Sequence, residues 1–171
     1  MLKKFVRTMA YIGGIVTGFY LFASAPGIHK KTKWQHLTGW DYAHRGLYDN
    51  EHGIPENSMA AFRRAVDKGY GIELDVHLTA DNQLVVFHDD TLTRMCGMNK
   101  KISSFLYSDL MQLRLLGTEE GIPLFKDVLE LIDGKVPLII ELKVDGSNQN
   151  LLCPLVWQLL SRYKGDYCIE S

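Results

Sequence analysis

Acidic side chains stand in this sequence where strands demand apolar ones. The stretch Gly71 to Leu78 reads Gly-Ile-Glu-Leu-Asp-Val-His-Leu, a strict alternation. Successive side chains of a strand point to opposite faces. Ile72, Leu74, Val76 and Leu78 therefore share one face, and Glu73, Asp75 and His77 share the other. The run from Val136 repeats the arrangement, with Glu141 and Lys143 on the face opposite Leu138, Ile140 and Leu142. Unpaired carboxylates are costly to bury, so these must be exposed, ion-paired or bound to a metal. Three carboxylates converging from two strands suit a hard divalent cation, Ca2+ or Mg2+. From the pattern alone, an edge strand with a solvated face fits equally.

Two histidines stand at strand ends. His44 follows a short strand and precedes Arg45-Gly46; His88 closes another and precedes Asp89-Asp90. A pair so placed is an acid–base candidate, because imidazole donates or accepts a proton near neutral pH. His77 is expected to line the site, whereas His29, His36 and His52 lie in linker or loop sequence. Cys96, Cys153 and Cys168 are too widely spaced to suggest a metal site or a disulfide framework.

The positioning elements follow from periodicity. Strands are expected at Asp41–Ala43, Gly71–Leu78, Leu84–His88, Val136–Leu142 and Tyr167–Ile169. Asn57 or Ser58 caps a helix running to Lys68, with Gly69 as its stop. Further helices are expected from Ser108 through Leu115, over Leu124–Ile132, and from Leu151 to Tyr163. Strands alternating with helices argue for a parallel α/β sheet or barrel.

Of 171 residues, 46% are hydrophobic and 23% charged, which excludes disordered and collagenous classes. The net charge of −1 gives no support to a nucleic-acid partner. That near-neutral total hides an asymmetry: residues 1–40 hold six of the 19 basic side chains and none of the 20 acidic ones. Thr8 to Ile28 is free of formal charge, with Lys3, Lys4 and Arg7 before it and Lys30, Lys31 and Lys33 after it. Such a run is about 30 Å long as a helix, the thickness of a bilayer's hydrocarbon core. The expectation is a retained single-pass membrane anchor over 1–28, in preference to a signal peptide cleaved near Ala23-Ser24-Ala25, and a polar basic linker over 29–40. Equal numbers of basic residues on the two sides leave the orientation open.

Several motifs then occur in order. They are His44-Arg45-Gly46, Pro55-Glu56-Asn57-Ser58, Ala61-Phe62, Glu73-Leu74-Asp75-Val76, Val85-Val86-Phe87-His88-Asp89, Thr91-Leu92-Thr93-Arg94, Ile122-Pro123-Leu124 and Glu141-Leu142-Lys143. From about Tyr42 to Ser171 the chain resembles the glycerophosphodiester phosphodiesterase family. The resemblance implies a TIM (β/α)8 barrel with its site at the carboxyl ends of the strands. It implies Glu73, Asp75 and Glu141 as metal ligands, His44 and His88 as the acid–base pair, and Arg45 and Lys143 as phosphate-binding cations. Asn57 matches a motif position near the site. The implied reaction converts glycerophosphodiesters, in membrane phospholipid metabolism, to glycerol 3-phosphate and an alcohol.

Two other readings accompany it: a phospholipase C- or D-like relative acting on intact lipids, and a membrane-tethered phosphate-ligand domain without turnover. A TIM barrel takes about 250 residues and eight strands. Residues 41–171, with five strand candidates, are therefore expected to form the amino-terminal portion of such a barrel, and the chain to be a fragment.

Overall fold

The computed structural model of the chain describes residues 2–24 and 35–171, with side chains from residue 13 onward in the first stretch. It falls into two units, Met1–Lys33 and Trp34–Ser171. The described residues of the first form helix α1, Leu2–Ser24. No helix among the described residues is long and apolar enough to cross a membrane. This corrects the expected transmembrane anchor, and with it the single-pass membrane location and the bilayer as a partner. The physical reason lies in composition. Tyr11, Gly13, Gly14, Thr17, Gly18 and Tyr20 dilute the apolar content of this stretch. The first half of the linker expected over 29–40, residues 29–34, lies outside the described residues together with residues 25–28.

The second unit carries the sheet. Its strands are β1 (Tyr42–His44), β2 (Gly71–Leu78), β3 (Leu84–Val86), β4 (Leu138–Leu142) and β5 (Tyr167–Glu170). Its helices are α2 (Met59–Lys68), α3 (Thr93–Cys96), α4 (Tyr107–Leu110), α5 (Phe125–Ile132) and α6 (Gln149–Leu160). The parallel strands run in the order β1-β2-β4-β5, so β2 and β4 are central. β3 instead pairs antiparallel with Val76–Leu78 of β2. Four of the five strands are thus parallel staves of a β/α fold, where five were expected; Ala80-Asp81-Asn82 turns the chain directly back, leaving no crossover that would make β3 parallel.

Local chemistry explains α2. Ser58 is extended, and its hydroxyl accepts from the Ala61 N–H at 3.2 Å; Gly69, at φ 72°, ends the helix. Ala61, Phe62 and Ala65 form its buried face. With Phe125, Val128 and Ile132 of α5 and Leu152, Val156 and Leu160 of α6, this face covers the apolar row of β2 and β4. A second cluster, built on Val85, Phe87, Leu92, Ile102, Leu110 and Leu115, fills the space beyond β3. Phe62 is fully buried, so Phe62→Ala is expected to cost about 3–5 kcal/mol, read as a lower urea midpoint with unchanged slope.

The helix expected from Ser108 to Leu115 is reduced to the single turn α4. Leu116 (φ 51°) and Gly117 (φ 71°) adopt left-handed conformations; Leu110 is buried from α4 itself and Leu115 from beyond its end.

Candidate active site

The carboxylates converge because of sheet register. Asp75 of β2 lies opposite Glu141 of β4, and Glu73 stands two residues earlier on the same face of β2. One oxygen from each of Glu73, Asp75 and Glu141 lies within 4.8 Å of the others. All eight residues of β2 are buried, so the solvated-edge alternative is excluded. His44 closes β1 opposite Glu73, its Nε2 3.8 Å from Glu73 Oε2.

The segment after β1 is bent sharply. Arg45 (φ 59°) and Gly46 (φ 78°) are both left-handed, as is Asn57 (φ 53°). A Cβ at Gly46 would come within 2.9 Å of Ala61 Cβ, so only glycine lets this turn press against α2. The bend directs the Arg45 N–H onto Glu73 Oε2 at 3.0 Å. The Arg45 side chain donates from Nη1 to Glu56 Oε1 at 3.0 Å, and its Nε lies 3.8 Å from Asp75 Oδ2. Asn57 Nδ2 donates to Asp75 Oδ2 at 2.8 Å. Lys143 Nζ sits 2.9 Å from Asp75 Oδ1, off the line of a hydrogen bond, and 2.7 Å from Glu141 Oε2.

His88 follows β3, its Nδ1 2.6 Å from Asp89 Oδ1. His77 is buried, with Nε2 3.2 Å from the His88 carbonyl; burial pushes its pKa down, so it is a neutral spacer. One further group joins the two halves. Arg94 of α3 donates from Nη1 and Nη2 to Glu56, at 2.8 and 2.7 Å, and from Nε and Nη2 to Asp89, at 2.8 and 2.9 Å. Glu56, Asp89 and Arg94 were visible in the sequence only as motif positions; their spacing carries no signal of a shared contact.

These charges are unequally satisfied. Burial raises the Glu73 carboxyl, and repulsion from Asp75 and Glu141 helps bring it to about 7. Burial also pushes Asp75 up, but the hydrogen bond from Asn57 and the positive charge of Lys143 outweigh it and the net direction is down. Burial works against charge on Glu56 as well, and is overcome by Arg94 and then Arg45. Hydrogen bonding from Arg94 takes Asp89 down to about 2.

A crowded, all-oxygen set with a buried Asp75 oxygen left without a hydrogen bond fits a hard divalent cation. Below pH 7 such a cation must displace the Glu73 proton. Affinity for Ca2+ or Mg2+ is therefore expected to fall by up to about tenfold per pH unit below 7 and to level off above it. Calorimetry at pH 6 in two buffers of different ionisation enthalpy should show close to one proton released. An affinity independent of pH would contradict the Glu73 assignment.

Parallel β/α staves carrying an acidic cluster that could hold a metal ion, with histidines close to the strand ends, make a TIM-barrel-like α/β fold. Comparison with known proteins agrees. The model of the glycerophosphoryl diester phosphodiesterase family matches residues 44–161. A lysophospholipase D, GDPD1 of Rattus norvegicus, is 32% identical over 172 residues, covering 93% of this chain and 52% of that protein. A glycerophosphodiester phosphodiesterase of Bacillus altitudinis is 37% identical over 113 residues, covering 62% of this chain and 45% of the relative. Among solved structures, an Oleispira antarctica phosphodiesterase in complex with the product sn-glycerol-3-phosphate superposes with a TM-score of 0.69 at 26% identity, covering 78% of this chain and 57% of that one. The chain belongs to the glycerophosphoryl diester phosphodiesterase family. It spans about half the length of the curated relatives it matches.

Proposed function

We propose that residues 41–171 carry the catalytic portion of a phosphoric diester hydrolase that converts glycerophosphodiesters to glycerol 3-phosphate and an alcohol. The observation that carries this reading is the gathering of Glu73, Asp75 and Glu141 within 4.8 Å of one another, with His44 and Arg45 against Glu73. The relatives' names and the product-bound neighbour support the substrate class.

Glu73, Asp75 and Glu141 hold one divalent cation, Ca2+ or Mg2+, which when bound supplies Lewis-acid polarisation of a phosphoryl oxygen. The chain's own residues do the rest. Arg45, anchored at Nη1 by Glu56, presents the remainder of its guanidinium to the phosphate as a directional donor. Lys143 adds positive charge at the carboxylate pair and turns from it to the phosphate. With Nδ1 committed to Asp89, His88 exchanges its proton at Nε2, and His44 does so at the Nε2 that faces Glu73. One imidazole takes a proton from the attacking oxygen, of water or of the substrate's glycerol, and the other gives one to the departing alcohol.

The test is glycerol 3-phosphate release from glycerophosphocholine, with and without a chelator. Release that stops with chelator and returns with Ca2+ or Mg2+ supports the reading; no release in either condition refutes it for this chain. A lysophospholipase D reading is favoured by the 93% coverage of this chain by the rat relative. Choline release from lysophosphatidylcholine, measured beside glycerophosphocholine, separates the two substrates.

A further inference from the structure

We propose that Arg94 is a positioning residue that couples the phosphate-gripping Arg45 to the proton-transferring His88, through two carboxylates held on one guanidinium. The inference rests on the hydrolase reading above and deepens it.

The geometry is a continuous chain of five charged or polar side chains. His88 Nδ1 meets Asp89 Oδ1 at 2.6 Å. Arg94 holds that carboxylate by both oxygens, through Nε at 2.8 Å and Nη2 at 2.9 Å. It grips Glu56 in the same forked way, through Nη1 at 2.8 Å and Nη2 at 2.7 Å. Glu56 Oε1 then accepts from Arg45 Nη1 at 3.0 Å. The Glu56 side chain is only 5% exposed, so it cannot turn to water if a partner is lost. Arg94 comes from α3, a single helical turn whose first residue has no side-chain cap, and Glu56 lies 38 residues earlier in the loop before α2.

A carboxylate held by both oxygens cannot rotate, so Asp89 fixes the plane and the Nδ1–H tautomer of the His88 imidazole, leaving Nε2 as the proton-exchanging atom. The same argument fixes Glu56 and, through it, Arg45 Nη1. The link is ionic over the working pH range, since Arg94 draws Asp89 down to about 2. A lysine could neutralise this pair of carboxylates but could not fork to both. That difference separates a positioning role from one of simple charge balance.

The experiment compares the wild-type chain with Arg94→Lys and Arg94→Gln, with Asp89→Asn as a reference for a released histidine. The first readout is the 15N signature of the His88 ring in the cation-free protein above pH 8, which needs no turnover. Wild type should show the Nδ1–H tautomer, and both Arg94 variants should shift toward Nε2–H, in the direction of Asp89→Asn. The second readout is kinetic: kcat is expected to fall about tenfold or more, and KM to rise a few-fold through Arg45. Arg94→Lys, which keeps the charge, serves even if Arg94→Gln folds poorly. An unchanged tautomer in the folded variants, or full recovery of tautomer and kcat by lysine, would overturn the proposal. Should wild type show no turnover, the hydrolase reading fails while the tautomer measurement still decides the coupling.

Discussion

Glu73→Gln should abolish divalent-cation binding by the chain and reduce phosphodiester hydrolysis by at least about 100-fold, beyond the usual loss for a group that only supports a metal ligand. The choice of Glu73 over Asp75 is physical. Asp75 is the meeting point of Asn57, Lys143 and Arg45, and its removal strands buried positive charge at a cost of about 3–5 kcal/mol. Glu73 is the group the site tolerates least as an anion, its carboxyl having been pushed to about 7 against an ordinary 4.5. The sign of the stability effect follows. At pH 8 the ionised Glu73 penalises the folded state, and a neutral glutamine removes that penalty. Below about pH 4.5 the carboxyl is protonated folded and unfolded alike, so the advantage disappears. The cation-free variant is thus expected to melt above wild type at pH 8 and beside it at pH 4, while failing to bind Ca2+ or Mg2+. Retained cation binding would remove Glu73 from the ligand set; a lower melting temperature at pH 8 would contradict the crowding argument.

His44→Ala and His88→Ala should each lower kcat by about 10²- to 10⁴-fold, the range for loss of a positioned acid or base. Neither change empties a core: the side chains are 64% and 32% exposed. The two roles separate by leaving group. A nitrophenyl diester releases nitrophenolate, which departs without a proton, so the variant lacking the acid should recover most of its rate on that substrate. The variant lacking the base should not. Recovery in neither variant would show that neither histidine protonates the leaving alcohol. Recovery in both would leave neither as the base.

Much of this site was legible because strand periodicity is rigid. Alternation alone placed Glu73, Asp75 and His77 on one face, and the parallel register then set Asp75 beside Glu141. Helix α2 was equally plain, since Ser58 and Gly69 are local signals that act within a few residues. What sequence patterns do not carry is direction and distance. Leu84–His88 reads as a strand whether it runs with β2 or against it. The leucines from Leu110 to Leu115 have helical spacing, yet the helix stops at Leu110 and Leu115 reaches the second cluster from beyond its end. Among the described residues no helix is long and apolar enough to cross a membrane, although the run before residue 24 reads as one by length. Arg94 illustrates the limit most clearly. Its partners lie 38 residues before it and five residues before it, and neither spacing distinguishes it from an ordinary surface arginine.

Strand β2 holds two of the three site carboxylates, and it has β4 along one edge and β1 and β3 along the other. Its amides should accordingly be among the slowest in the chain to exchange with deuterium, opening only when the whole unit unfolds. The place of greatest charge crowding is therefore the place with least freedom to relieve it by breathing. A frayed loop could swing an unwanted anion into solvent; β2 cannot. Occupancy by a proton or a cation becomes the adjustable quantity, and backbone motion does not.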